Sequence, residues 1–414
     1  MLADITAELG KGTLPPKGYN HARLFLIPKK DGGLIEFTRG ICANNCDNRF
    51  VATAVTESIK PALRWLIHPD QKGFTDERIG TEHVHELTHD FYSRLSKKQQ
   101  HHVLLLDMRR AFDTLAHSFM HMCLVVMGWA DWLRKMVVGL LHEVVAIPEL
   151  GTRTRHRVRV YKGVKQGCPL SPILFIICFD VLLCRLDRFK GRTKKFGFAD
   201  DLALAMRSVT ILLAVFRTVA LFSKMSGLWM NKAKTVLVST LPPSRGTRGR
   251  LDREGLGEVR FVSEAKYLGV LFGAKTSTKD VFADANDKFH KRLDTLAPVM
   301  RSSSLHDRIL IVNVFLLPLF YYLGQFYVIP WPMVVAAKRA CHRATVAFNG
   351  GGFGYAHLIT PDKKHFGPHT PMKDLWAVNM TMLGSTFDLI NSNGHPEVVM
   401  GVFQKVIEQP VMRK

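Results

Sequence analysis

Asp200 and Asp201 stand side by side in the run KKFGFADDLALAM (194–206), where two short β-type runs flank Ala199-Asp200-Asp201. The pattern predicts a hairpin carrying two carboxylates at its tip. Neighbouring side chains on a strand point to opposite faces, and like charges this close repel unless a cation offsets them. Mg²⁺ is the natural counter-ion for such hard oxygen ligands. A second, wholly apolar run (103–106) ends in Asp107, and adjacent strands lie about 4.8 Å apart. Placed beside the hairpin, it brings a third carboxylate to the same point. Two divalent ions about 3.5–4 Å apart, held by such a set, activate an attacking 3′-hydroxyl and stabilise a leaving pyrophosphate. Asp is also common in turns, so the pair taken alone has an ordinary structural reading as well.

The chain that must position these groups has 414 residues, 57 Lys+Arg against 35 Asp+Glu, and a net charge of +22. At 47% hydrophobic residues it can bury a large core, so disorder is excluded for most of it. The spread of positive charge favours a polyanionic partner. Seven cysteines, odd in number and mostly within apolar runs, suggest neither a disulfide framework nor a four-cysteine zinc site, and point to a reducing compartment. The N-terminus lacks the apolar stretch of a signal peptide. Residues 309–337 carry no charge and are long enough to cross a bilayer. Asn313, Gln325 and three prolines, with no second comparable run, favour a buried core helix followed by a Pro-punctuated turn.

Residues 22–27 and 34–37 predict a basic hairpin around the turn 29–33. Helical spacing marks 49–67, 78–95, 119–141, 172–186 and 212–225. A Gly/Pro-punctuated loop covers 163–169, a basic loop 241–250, and a single strand 266–272. Phe289, Leu293 and Leu296 line one helical face beside Lys288, Lys291 and Arg292, so that helix packs on one side and can meet phosphates on the other. His83, His85 and His89, and likewise His117 and His121, have metal-compatible spacing without an accompanying Cys or Glu motif, and are read as solvated helix faces.

Five runs occur in order: LLLDMRRAFD (104–113), GVKQGCPLSPILF (163–175), FADD (198–201), WMNKAKT (229–235) and YLGV (267–270). The series resembles the ordered motifs of reverse transcriptases, nearest those of non-LTR (LINE-type) retrotransposons. IHPDQKGF (67–74) with Arg78 resembles that family's fingers region, and similarity extends over about 24–327. The resemblance implies that Asp107 and Asp200 are the principal metal ligands, with Asp201 the third carboxylate. Phe112 would lie under the sugar and exclude a 2′-hydroxyl, with ordinary core packing as its alternative. Gln166 and Gly167 would lie under the incoming nucleotide and template base, where glycine permits close backbone approach. Lys234 would protonate the pyrophosphate leaving group, unless it is simply a solvated lysine. Lys30 and Arg39 would bind the triphosphate, with Lys29 as good a candidate as Lys30. Arg39-Gly40-Ile41 departs from the family's Arg-Pro-Ile, which loosens the backbone there. Tyr267, Leu268 and Gly269 would form the primer grip.

The expected fold is α+β, a right-handed polymerase with fingers, a palm built on a ferredoxin-like antiparallel sheet, and a helical thumb. The expected boundaries are fingers 1–102, palm with an interleaved fingers segment 103–273, thumb 274–349, and a C-terminal extension of unclear role 350–414. The implied activity is RNA-directed DNA synthesis with two Mg²⁺ ions, or Mn²⁺ in their place, on an RNA template with a DNA primer and deoxynucleoside triphosphates. No membrane partner is expected. The implied location is intracellular, and nuclear by the family resemblance. The rival reading is a catalytically inactive remnant that only binds nucleic acid.

Overall fold

The computed structural model describes residues 2–28, 38–149, 156–242, 245–253, 255–346, 354–360 and 370–392. Lys29, Lys30 and the predicted strand 34–37 lie outside them. The chain divides into two compact units: Met1–His83 with Gln100–Val262, and Val84–Gln99 with Ser263–Lys414.

In the first unit the elements run α1 (Leu2–Lys11), β1 (His21–Pro28), β2 (Thr38–Asn44), α2 (Cys46–Leu66), the first turn of α3 (Gly80–Ser96), β3 (His102–Leu106) and α4 (Ala111–Thr114). They continue with α5 (His117–Val126), α6 (Asp131–Leu141), β4 (Val145–Pro148), β5 (Val158–Arg159), α7 (Ser171–Leu186), β6 (Thr193–Phe198) and β7 (Asp201–Met206). The last are α8 (Leu212–Ser226), β8 (Val236–Ser239), α9 (Arg245–Arg253) and β9 (Arg260–Val262).

Five strands form a sheet in the order β6-β7-β3-β8-β9. The first four pair antiparallel, and β9 joins β8 parallel. Numbering β3, β6, β7 and β8 as one to four gives the spatial order two-three-one-four, with helices connecting one to two and three to four. That is the split βαβ arrangement of a ferredoxin-like sheet. A second sheet, β2-β1-β4-β5, pairs β1 antiparallel with β2 and parallel with β4.

The reason for this arrangement lies in α7. From Phe175 to Cys178 and again at Phe179, Leu182 and Leu183 its side chains are wholly excluded from water, each worth about 1.5–3 kcal/mol of apolar burial for the larger ones. It packs between α5 and α8, where Phe222 meets both Phe119 (5.8 Å between centroids) and Phe179 (6.1 Å) edge-on. A helix apolar all round belongs in the middle of a layer, and here it backs the sheet.

In the second unit β10 (Glu264–Tyr267) and β11 (Val270–Gly273) form a two-stranded hairpin. There follow α10 (Thr278–Ser302), α11 (Leu305–Ile311), a π-turn (Val312–Leu316), α12 (Pro318–Gly324), α13 (Trp331–Val346), α14 (Tyr355–Ile359) and α15 (Leu375–Ser392). Phe320 packs against Phe282 and Phe289 of α10. Buried Asn379 donates to the carbonyls of Gly324 and Tyr327 and accepts from the amide of Ile329, which fixes the Pro-rich turn that follows α12.

Several sequence expectations are corrected. Residues 119–141 form two helices, because Gly128 adopts φ +72° and ends the first. The basic segment after Pro243 folds as α9, and 266–272 is a hairpin that turns at Leu268-Gly269. His83 and His85 are buried, 3% and 4% exposed, and are not solvated. Burial pushes the His83 imidazole down to about 3, beside the Phe196 ring. Among the described residues, two helices could cross a bilayer by length and composition, Val209–Ser226 and Leu305–Gly324, with 50% and 44% of each buried. The second was foreseen and the first was not.

Candidate active site

Asp107 follows the last residue of β3 and Asp201 opens β7, and in the antiparallel register Leu106 faces Leu202. The three carboxylates of the sequence reading therefore converge at one end of the sheet. Asp200 occupies the two-residue turn between β6 and β7, whose flanking pair is Phe198 and Asp201. Ala199, the first turn residue, has φ +54°, a left-handed conformation that a side chain disfavours.

The end of β3 is pinned from its other side. The Asp107 carbonyl accepts from Asn231 N–H (2.8 Å), and Asp107 N–H donates to the Thr235 hydroxyl (3.3 Å). Met108 bridges Met230, and Arg109 N–H donates to the Trp229 carbonyl (2.7 Å). The WMNKAKT run is thus a loop wrapped on the β3 end that carries Asp107, and it places exposed Lys234 one residue before buried Thr235.

Electrostatics agrees with convergence. Burial pushes the half-buried Asp200 carboxyl above its usual range, the Asp107 charge pushes the same way, and Arg39 pulls it back. Asp201 is exposed at residue level, yet the protein around its carboxyl, then Asp200, then Asp107, raise it to about 6. Arg39, exposed on β2 opposite Ile27, is near enough for its charge to act on Asp200. Lys30 lies outside the described residues.

The donor set is chemically suited to a hard divalent ion: three carboxylate groups that destabilise one another's charge. Among the described residues no three His, Cys, Asp or Glu side chains are close enough to ligate one ion together.

Phe112 sits in α4 behind Arg110, which has φ +43°. Its half-buried ring stacks on Phe175 (4.6 Å) and meets Phe74 edge-on (6.4 Å), and its carbonyl accepts from Val164 N–H (2.7 Å). The ring is both core-packed and fixed at the edge of the site. Gln166 donates through its side-chain amide to Asp113 (3.1 Å), and its carbonyl accepts from Cys42 N–H (2.6 Å). At Gly167, φ +112°, an added Cβ would lie 2.4 Å from the Cys42 carbonyl oxygen. The close approach that glycine permits is thus to β2.

Sequence reasoning missed three supports. Asp113 closes the LLLDMRRAFD run and anchors Gln166. Lys165 is buried, donates to Asn48 (3.4 Å), and has its ammonium pKa lowered by burial. Gln71 is buried and its side-chain amide bonds both backbone groups of Ala199. All three stood within quoted runs, but their burial and bonding are not written in residue order.

The sequence profile described as "Reverse transcriptase (RNA-dependent DNA polymerase)" matches residues 27–272, more than half of the chain. The chain belongs to the reverse transcriptase family. This reverse transcriptase is 30% identical over 283 residues to a Retrovirus-related Pol polyprotein from type-1 retrotransposable element R2 of Popillia japonica, covering 64% of the chain and 39% of that relative. It is 26% identical over 334 residues to the Transposon TX1 uncharacterized 149 kDa protein of Xenopus laevis, covering 75% of the chain and 24% of that relative. The chain spans about a quarter to two-fifths of the length of these relatives. An apo telomerase from Candida tropicalis aligns with a TM-score of 0.48 and 12% identity over 97% of this chain and 73% of that one. At that TM-score the likeness carries no weight beside the sequence match. The α+β architecture with its ferredoxin-like sheet is that of a right-handed polymerase. Members of the family depend in general on divalent metal and act on a nucleic-acid template.

Proposed function

We propose that this chain extends the 3′-hydroxyl of a DNA primer on an RNA template, using deoxynucleoside triphosphates and two Mg²⁺ ions, for which Mn²⁺ can substitute. The observation that carries the reading is the convergence of Asp107, Asp200 and Asp201 at paired strand ends within a matched reverse transcriptase region. Those carboxylates would hold the ions, which supply Lewis-acid activation of the hydroxyl and charge neutralisation at the pyrophosphate. Arg39, with Lys30, binds the triphosphate, and Lys234 offers the leaving group a proton. Phe112 discriminates against a 2′-hydroxyl, and Gln166 with Gly167 supports the nascent base pair.

In this reading residues 1–102 act as fingers, 103–273 as palm with an interleaved fingers segment, and 274–349 as thumb, with 350–414 an extension. Basic helices hold the hybrid by phosphate contacts with steep salt dependence. We place its action in the nucleus. Retention of all three carboxylates gives the inactive-remnant reading no support.

The test is extension of a DNA primer on an RNA template by the purified chain with Mg²⁺. Asp200→Asn is expected to abolish extension while leaving binding to the primed template within a few-fold; equal loss of binding would assign Asp200 a structural role.

A further inference from the structure

Gln71 lies outside the motif series that carries the chemistry, yet it has no solvent exposure at all. Its side-chain oxygen accepts from the amides of Ala199 (2.8 Å) and Gly73 (2.9 Å), and its side-chain nitrogen donates to the Ala199 carbonyl (3.1 Å). One amide thus satisfies both backbone polar groups of the residue that precedes Asp200. That residue is the non-glycine with φ +54°, and such a conformation persists only where surrounding contacts over-determine it.

The clamp is itself anchored. Residues 70–72 run along the outer edge of β6 as a short parallel bridge: Gly197 N–H donates to the Asp70 carbonyl and Lys72 N–H to the Gly197 carbonyl, both at 2.9 Å. The Arg78 guanidinium donates to the carbonyls of Arg64, Ile67, His68 and Gln71, so one cation fixes the whole approach to the clamp. Gly73 is pressed onto the turn so closely that an added Cβ would lie 2.3 Å from the Ala199 nitrogen. The next residue, Phe74, meets Phe112 edge-on. The five residues 70–74 therefore touch the carboxylate turn at one end and the sugar-facing ring at the other.

We propose that Gln71 is a positioning residue: its side-chain amide, with the close approach of Gly73, locks the Ala199 turn and thereby aims Asp200 and Asp201. The inference rests on the function proposed above and adds a part to it that touches no substrate. A misaimed metal-binding turn should depress turnover, not substrate affinity, because displacement by about 1 Å costs about 10²-fold in rate.

The experiment compares Gln71→Met, which keeps the length and loses the hydrogen bonds, and Gly73→Ala with Leu133→Ala, a buried α6 variant outside the clamp and its anchor. Three quantities are read on the whole chain: kcat against KM for primer extension, amide hydrogen exchange at Ala199 without metal, and Tm. The expected result is a kcat about 100-fold lower for Gln71→Met and Gly73→Ala, primer–template affinity within a few-fold, and accelerated exchange at Ala199. Leu133→Ala should match their loss of Tm and keep kcat. Unchanged kcat and unchanged exchange in Gln71→Met would overturn the proposal, as would an equal kcat loss in Leu133→Ala. If the wild-type chain extends no primer, the proposed function fails by itself, and exchange at Ala199 still decides whether Gln71 holds the turn.

Discussion

Two β-hairpins in this chain reverse direction in two residues each, and they are held by opposite means. The turn Leu268-Gly269 joins β10 to β11 with both residues at positive φ, +45° and +81°, the pattern of a type I′ turn suited to strand twist. Its outer support among the described residues is a hydrogen bond from the Tyr322 hydroxyl to the Leu268 carbonyl. The turn Ala199-Asp200 puts alanine where the local conformation favours glycine, and it is clamped by a buried amide on both sides of the residue. Local chemistry is enough for the first. The second sets the carboxylates proposed to be catalytic, and its rigidity comes from a segment well over a hundred residues away in the chain.

The largest expected contrast is between the two tips. Asp200→Asn should remove primer extension, whereas Tyr322→Phe should raise the KM for primer several-fold through loss of one hydrogen bond worth about 1 kcal/mol. Its kcat at saturating primer should stay near wild type. Steady-state kinetics that showed kcat falling with Tyr322→Phe would erase the distinction between a chemistry turn and a gripping turn.

Next in size is sugar discrimination. Phe112→Ala should admit ribonucleotides, measured as the ratio of kcat/KM for ribo- and deoxynucleotides; an unchanged ratio would leave Phe112 as core packing on Phe175 alone. Smaller again is a rescue. Ala199→Gly removes about 1–2 kcal/mol of left-handed strain, so in a Gln71→Met background it should recover about tenfold of the lost kcat. No recovery would mean that strain at Ala199 is not what Gln71 opposes.

The smallest effect is on stability. The Asp201 carboxyl, at about 6 in the folded chain, is raised from 3.8. A raised acid favours the folded state fully below the unfolded value, and that contribution is lost as pH rises through the folded one. The metal-free wild-type chain should therefore lose stability relative to Asp201→Asn between about pH 4 and pH 6, with equal Tm for the two below that window. The exposure of Asp201 keeps the difference small. A divalent ion should narrow it by stabilising the carboxylate in wild type alone. Thermal melts at several pH values, with and without Mg²⁺, check both signs.

Much of the site was legible because strand alternation and motif order are local properties. An apolar run ending in Asp107 and a hairpin ending in Asp200-Asp201 can be read from residue types, as can the helix 171–186. What failed was what depends on neighbours. His83 and His85 read as solvated because their spacing matched a polar face, but the packing of α3 buries them. That the backbone at Gly167 is approached within 2.4 Å of an added Cβ by the Cys42 carbonyl was likewise not written in the local sequence. The segment after Pro243 read as loop from its Gly and Arg content, and Leu251 and Leu256, buried at 4% and 8%, pull it onto the core as a helix.

By itself, the sequence determined which groups can react and in which order along the chain they occur, because side-chain chemistry and period-two patterning travel with the residues. Only the tertiary structure decided how they meet: the pairing of β3 with β7, the loop that binds Asp107 from behind, and the amide that fixes Ala199. Those depend on hydrogen bonds between residues up to 128 positions apart, and no local preference encodes a partner at that distance.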